Sequence, residues 1–280
     1  MYDLGVIDRR KFLALSAAAV SIPAFGAANI PVGLEMYSVR NEFKQDPTGT
    51  LRAVAAMGYK GVEFYAPYFN WTPDEARTTR KLLDELKMRC FSTHNGEKSF
   101  AADNIAKAIE LNQILGSRYL ILASAGKITT LEGWKPTAEL LTRSAEKLQE
   151  HGLSTGYHNH QLEFTPIDGK RPIEYLAEHT PKNVALQLDI GTCVEMGSDP
   201  VAWIKQNPGR IRSMHLKDWS KAEEYQALFG EGEVPWKPVF SAVESVGGIE
   251  YYLIEQEGSK YPPFETADRC LKTFNSLHKS

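Results

Sequence analysis

The order of apolar and amphipathic segments is the feature that most restricts the fold of this chain. Short apolar runs, typical of strands, alternate with stretches that have helical spacing. The predicted strands are residues 30–38, 61–65, 90–94, 118–123, 153–160, 184–189, 211–216 and 250–255. The predicted helices are residues 47–57, 73–88, 101–115, 136–151, 172–178, 199–204, 235–246 and 263–278. Apolar strands joined by helical crossovers indicate a parallel sheet.

Eight strand–helix units in a chain of 280 residues fit one (β/α)₈ barrel, or TIM barrel, over residues 29–280. A doubly wound open sheet is the alternative, and it is disfavoured because no Gly-x-Gly-x-x-Gly follows the first strand. The hydrophobic content of 42% and charged content of 24% are ordinary for a globular protein. A single α/β domain is therefore the predicted fold class.

The first 28 residues are predicted to be a signal peptide. Arg9-Arg10-Lys11 precedes an apolar run from Phe12 to Ile22, and small residues follow at 24–28. The run is too short to span a bilayer comfortably, and the segment 8–13 resembles a twin-arginine export signal. We expect export of the folded protein to the periplasm, with no membrane attachment after cleavage. The alternative, an amphipathic N-terminal helix, is disfavoured because the run has no charged face.

Charge and cysteine content argue against three other classes of protein: nucleic-acid-binding proteins, zinc ribbons and disulfide-rich proteins. The net charge is −3 and no basic stripe is visible, so a nucleic-acid partner has no electrostatic support. Cys90, Cys193 and Cys270 are widely spaced and fit neither a zinc ribbon nor a disulfide framework.

Ligand-type side chains stand at or near the carboxyl ends of the predicted strands. Active sites of (β/α)₈ barrels lie at that end, so these side chains are expected to meet at one mouth. Mixed carboxylate and imidazole groups suit one divalent metal, Mn²⁺, Co²⁺, Mg²⁺ or Zn²⁺. The candidates are Glu35, Glu63, His94, His158, His160, Glu163, Asp189, His215, Lys217 and Glu255.

For several candidates two interpretations remain open, contact with the substrate or a structural role. His94, His160 and Glu63 are candidate substrate contacts, against hydrogen-bonded core histidines and an ion pair low in the barrel. Trp134 and Trp236 fall in predicted loops at the mouth, where they could stack on a sugar ring or simply pack.

Seven motifs together resemble the sugar phosphate isomerase/epimerase group of the xylose isomerase-like barrels, over nearly the whole mature chain. They are residues 33–40, 58–64, 157–164, 188–191, 215–218, 230–233 and 254–257. The resemblance implies one divalent metal held by Glu163, Asp189, His215 and Glu255, with His160 in reserve. Many relatives carry glutamate where His158 stands here, and histidine where Thr192 stands.

The resemblance also implies an activity. A metal-dependent sugar isomerase or epimerase would remove the proton beside a carbonyl and pass through an enediolate. Glu163 and Glu255 would be the proton-transfer pair on opposite faces of the sugar. Lys217 would bind a substrate oxygen, and His158 is a further catalytic candidate. The expected substrate is a free sugar or keto-sugar, and relatives imply a possible homo-oligomer.

Three other functions are weighed against this one. A lyase or hydratase acting on keto-sugars or 3-keto-glycosides would use the same enolate chemistry, and an exported protein would meet glycosides. A DNA repair endonuclease of the endonuclease IV type is disfavoured by the acidic chain. A non-catalytic sugar-binding barrel is disfavoured by the ligand-type side chains at the strand ends.

Overall fold

Eight parallel strands close into a barrel in the computed structural model of the protein, which describes residues 30–278. Each strand pairs with its neighbours in sequence, and β1 also pairs with β8. The predicted (β/α)₈ barrel is thereby confirmed. The strands are β1 (Val32–Glu35), β2 (Gly61–Phe64), β3 (Arg89–Asn95), β4 (Tyr119–Leu122), β5 (Ser154–His158), β6 (Ala185–Asp189), β7 (Ser213–Leu216) and β8 (Tyr251–Ile254).

Eleven α-helices are found among the described residues, and eight of them correspond to the predicted helices. The helices are α1 (Arg40–Gln45), α2 (Pro47–Met57), α3 (Pro73–Glu85), α4 (Ile105–Leu115), α5 (Lys135–Gln149), α6 (Gln161–Phe164), α7 (Pro172–His179), α8 (Ile190–Glu195), α9 (Pro200–Gln206), α10 (Trp236–Ala242) and α11 (Pro263–Leu277). The short helices α1, α6 and α8 were not predicted. They lie in the connections that follow β1, β5 and β6, so they form part of the barrel mouth.

Local sequence explains where the long helices begin and end. Thr72 caps α3 by accepting a hydrogen bond from the Glu75 amide, and the Glu75 side chain accepts one from the Thr72 amide in return. Pro73 occupies the first turn, where its missing N–H costs nothing. Gly58 ends α2 with φ of 110°, a conformation that glycine adopts without strain.

Membrane-spanning helices were also considered. No helix within residues 30–278 is both long and apolar enough to cross a bilayer. The predicted signal peptide, residues 1–28, lies outside the described residues.

The barrel interior has an apolar lower layer. Phe91 and Tyr251 stack there with ring centroids 5.0 Å apart. A Cβ at Gly33 or at Gly61 would lie within 3.0 Å of the Phe91 ring, so these glycines make room for it. The layer consists of Phe91, Tyr119, Ile121, Ala185, Tyr251 and Leu253. A second, larger apolar core fills the space between the strands and the helices.

Candidate metal centre and active-site cavity

A layer of buried polar side chains lies above the apolar layer, toward the carboxyl ends of the strands. Residues two or four apart on a strand face the same side, so β6 places Ala185 in the lower layer and Asp189 in this one, and β8 leads from Leu253 to Glu255 in the same way. The register between β1 and β2 places Glu35 beside Glu63, and that between β6 and β7 places Asp189 beside His215. Neither side chain of either pair is exposed to solvent.

Four of these residues form a cluster that could hold a metal ion. His158, Asp189, His215 and Glu255 come from β5, β6, β7 and the end of β8, and all four are buried. Each offers one ligand atom, and these atoms lie within 4.8 Å of one another. Two imidazoles and two carboxylates are a common ligand set for a divalent transition metal.

The Asp189 carboxylate provides an independent test of whether these residues fit a cation. One oxygen accepts a hydrogen bond of 2.9 Å from the Thr192 amide. The other, Oδ2, is buried and has no hydrogen-bond partner among the described residues; the Lys217 ammonium lies 3.8 Å away. A buried carboxylate oxygen without a partner is costly, and a cation in the cluster would satisfy it. The residues present therefore fit a divalent metal.

His215 lies between two carboxylates. Its Nδ1 is 2.7 Å from Glu255 Oε2, and its Nε2 is 2.8 Å from Glu63 Oε1. Burial disfavours the imidazolium, but the two carboxylates outweigh burial and raise the pKa of His215 to about 10. Burial also opposes the charge on Glu255, yet Lys217 and His215 hold the pKa of Glu255 below its usual range.

Lys217 directly follows β7, and its side chain lines the cavity beside the cluster. Its ammonium contacts the Glu257 carboxylate and lies over the Tyr225 ring, 4.8 Å from the centroid. Burial opposes the charge, but Glu255, Asp189 and Glu257 outweigh it and raise the pKa of Lys217. The side chain is therefore a fixed cation beside the cluster.

A cavity of about 640 Å³ opens above the cluster at the barrel mouth. His158 and Glu255 connect it to the cluster. Its wall also carries Glu35, Tyr37, Tyr65, His94, His160, Lys217, Tyr225 and Glu257. A cavity of this size accommodates a small polyhydroxy ring with room for a substituent.

The structure corrects the placement of Glu163. The sequence predicts a loop after His160, but α6 begins at Gln161, and Glu163 lies in its first turn. The Glu163 carboxylate accepts hydrogen bonds from the His160 amide, at 2.8 Å, and from the Tyr157 hydroxyl. Glu163 belongs neither to the cluster nor to the cavity wall, and the cluster member from the fifth strand is His158.

The two tryptophans are also corrected. Trp134 is 0% exposed and packs edge-on against Tyr157, with ring centroids 6.1 Å apart. Trp236 packs on Phe229 and donates from Nε1 to the Asp218 carboxylate at 2.8 Å. Neither lines the cavity, because both rings complete the core around the barrel and do not point into its mouth.

The remaining predicted residues divide between the wall and the interior. His94, His160 and Lys217 line the cavity. Glu63 lies deeper and does not line the cavity. One of its carboxylate oxygens accepts hydrogen bonds from Ser92 and Gln187, and the other lies 2.8 Å from His215 Nε2.

Sequence reasoning did not single out Tyr37, Tyr65, Tyr225 or Gln187. The structure places the three tyrosines in connections that follow strands, although the predicted strands 30–38 and 61–65 include Tyr37 and Tyr65. Gln187 was open to detection, because it stands two residues before Asp189 and therefore faces the same side of β6.

Fold and cluster together define a (β/α)₈ barrel with a candidate metal centre at the carboxyl ends of its strands. The family model described as xylose isomerase-like TIM barrel matches residues 51–276. The chain belongs to this family, which confirms the family predicted from the sequence.

Individual relatives agree with this assignment. An inosose dehydratase of Geobacillus thermodenitrificans is 28% identical over 245 residues, covering 79% of this chain and 78% of the relative. A sugar phosphate isomerase/epimerase of Parabacteroides distasonis has a TM-score of 0.76 at 23% identity, covering 90% of this chain and 96% of the other. The IOLI protein with a bound zinc atom has a TM-score of 0.68 at 17% identity, covering 89% and 98%. These relatives support the prediction of an enzyme.

Proposed function

We propose that the protein is a metal-dependent lyase that removes water from a neutral keto-sugar or keto-cyclitol. The relatives named inosose dehydratase support this reaction class. His158, Asp189, His215 and Glu255 would hold the metal, and a bound divalent ion would polarise the substrate carbonyl. Two imidazole ligands favour Zn²⁺, Co²⁺ or Mn²⁺ over Mg²⁺.

The observation that carries the proposal is geometric: two buried carboxyl groups, Glu35 and Glu255, stand at the ends of neighbouring strands in the wall of one cavity. Burial, and then the charges of Glu63 and Glu255, raise the pKa of Glu35 well above its usual value. Glu255 is held ionised by Lys217 and His215, which lower its pKa against the effect of burial. Such a pair provides a proton donor and a proton acceptor at the same pH.

The positions of Glu35 and Glu255 indicate how the pair acts. Each follows directly on paired residues of β1 and β8, where Leu34 is in register with Ile254. Donor and acceptor therefore approach the substrate from one side of the cavity. This arrangement suits loss of a proton and a hydroxyl group from neighbouring carbons. Epimerisation needs groups on opposite faces, and Glu163, the predicted second member of such a pair, does not reach the cavity.

The steps follow from these side chains. Glu255 accepts the proton from the carbon beside the carbonyl, and the C–H electron pair forms the new double bond. Lys217 stabilises the negative charge that develops on the substrate. Glu35 donates its proton to the hydroxyl group that leaves from the next carbon, so that the C–O bond breaks and water departs.

The charge of the cavity supports a substrate without phosphate. Among the described residues that line it, Lys217 is the only lysine or arginine, and Glu257 already pairs with it. Glu255, which is held ionised, also faces the cavity, so an anionic substituent would meet a carboxylate there. Tyr37 and Tyr65, edge-to-face with centroids 5.5 Å apart, provide an aromatic wall for the apolar face of a sugar or for a glycosidic substituent.

Isomerisation of a free keto-sugar is the second candidate. A donor and an acceptor on one side can also move a proton between neighbouring carbons without loss of water. The same-side position of Glu35 and Glu255 is compatible with this reaction.

Incubation of the Mn²⁺-loaded protein with a keto-inositol, an unphosphorylated keto-hexose and a 3-keto-glucoside in D₂O tests the proposal. We expect deuterium exchange beside the carbonyl, together with an unsaturated product that lacks one water or the glycosidic substituent. Glu35→Gln should slow elimination by about 10²–10⁴-fold and leave the exchange, because only the leaving group needs that proton. The exposed Glu110→Gln is the matched control. An isomer with no loss of water would support the second candidate, and no exchange with any substrate would contradict both.

A further inference from the structure

Gln187 is a buried amide in the barrel interior, two residues before Asp189 on β6. Its Oε1 lies 2.6 Å from His94 Nε2 and 3.0 Å from His158 Nδ1. Its Nε2 lies 2.9 Å from Glu63 Oε2 and 3.1 Å from Ser213 Oγ. All the hydrogen-bonding capacity of the amide is therefore used inside the barrel.

The contacts fix which way the amide faces. The Glu63 carboxylate is hydrogen-bonded by Ser92 and His215 and can only accept, so the NH₂ end of Gln187 must face it. The oxygen end then faces the two imidazoles. An oxygen only accepts, so His94 Nε2 and His158 Nδ1 must each carry a hydrogen.

The position of this hydrogen decides how His158 can bind a metal. In the neutral imidazole that a metal requires, a hydrogen on Nδ1 leaves the lone pair on Nε2. Gln187 also binds one oxygen of Glu63, whose other oxygen lies 2.8 Å from His215 Nε2. In the neutral form that a metal requires, a hydrogen on that nitrogen would leave the His215 lone pair on Nδ1, the nitrogen that faces Glu255.

We propose that Gln187 is a positioning residue that sets the tautomers of both cluster histidines, that of His158 directly and that of His215 through Glu63. The inference rests on the proposed metal-dependent function. Polar groups that orient a metal-binding histidine typically contribute about 10- to 100-fold to metal affinity.

Binding of Co²⁺, measured by calorimetry and by the visible absorption spectrum of the bound ion, tests the proposal. Gln187→Leu should weaken Co²⁺ binding about 10- to 100-fold and change the spectrum, because the histidines lose their fixed tautomers. Ser213→Ala is the control. It removes the hydrogen bond between Gln187 and Ser213 but keeps those to the histidines and to Glu63, so this variant should bind Co²⁺ as the wild type does. Wild-type affinity and spectrum in Gln187→Leu would overturn the role of Gln187 alone. Absence of Co²⁺ binding in the wild type would overturn the proposed function as well.

A second measurement needs no variant and so does not depend on its folding. Long-range ¹H–¹⁵N spectra of the zinc-loaded wild type report which ring nitrogen of each histidine carries the hydrogen. We expect hydrogen on Nδ1 of His158 and on Nε2 of His94 and His215. Hydrogen on Nε2 of His158 would overturn the proposal.

Discussion

At the scale of single residues, His158 and Glu163 lie close together in the sequence but have different roles, one in the cluster and the other at the start of a helix. His158 is the last residue of β5 and its side chain belongs to the cluster. Glu163 lies one helical turn beyond His160 and binds the amide of that residue. Glu163 takes the place of the glutamate in a capping box, but His160 stands where that sequence pattern has Ser or Thr, so the sequence does not display the motif.

Metal content of the two variants distinguishes the interpretations. His158→Ala should lose most of its Zn²⁺ after gel filtration, because the cluster loses a ligand. Glu163→Gln should keep about one ion per chain, and its free energy of unfolding should fall by about 1 kcal/mol, because a neutral amide oxygen is a weaker acceptor for the Tyr157 hydroxyl and the His160 amide. Elemental analysis and urea unfolding are the measurements. Loss of metal in Glu163→Gln with retention in His158→Ala would restore the assignment predicted from the sequence.

The other ligand positions could be predicted because they end regular strands. Asp189, His215 and Glu255 follow runs of apolar residues, and the ends of neighbouring parallel strands meet at one edge. The burial of Trp134 and Trp236 could not be predicted in the same way. An aromatic residue in a predicted loop can pack inward or face solvent, and only tertiary contacts decide between these outcomes.

At the scale of elements, all eight predicted strands and all eight predicted helices are present. The strands are short apolar runs bounded by turn residues, and the helices that correspond to the predicted ones have at least seven residues. The short helices α6 and α8 have 4 and 6 residues, too few for an amphipathic repeat. They are held by side-chain contacts at the strand ends, as when the Asp189 side chain accepts from the Thr192 amide at the start of α8. Because α6 was not predicted, Glu163 was assigned to a loop at the barrel mouth and not to the first turn of a helix.

The connection between β7 and α10 is organised by one carboxylate. Asp218 accepts hydrogen bonds from the amides of Trp219, Gly230 and Val234 and from the Trp236 indole. This explains why the motif at residues 230–233 stands near His215–Asp218 in the fold, although the sequence separates them. The side chain itself is 0% exposed.

Replacement of Asp218 tests this organisation. Asp218→Ala leaves several buried donors without an acceptor and should lower the free energy of unfolding by about 3 kcal/mol. Urea unfolding measures the change, and a shift in tryptophan emission should accompany it. The exposed Asp103→Ala should stay within about 0.5 kcal/mol of the wild type. Equal stability of both variants would contradict the assigned role.

At the scale of the whole molecule, we propose that the chain is exported by the twin-arginine route, on the basis of residues 8–13. Replacement of both Arg9 and Arg10 by lysine should retain the protein in the cytoplasm, because that route reads the arginine pair. Lys11→Arg is the control and should be exported. Fractionation of cells, with N-terminal sequencing of the periplasmic form, is the measurement. Equal export of the double variant would contradict the route.

The seam between β1 and β8 has a consequence for the synthesis of the protein. Glu35 is made long before Glu255, and the two become neighbours only when the first strand pairs with the last. A chain that ends before β8 therefore lacks one member of the proposed acid–base pair. The proposed activity would therefore require the closed barrel, with its first and last strands paired.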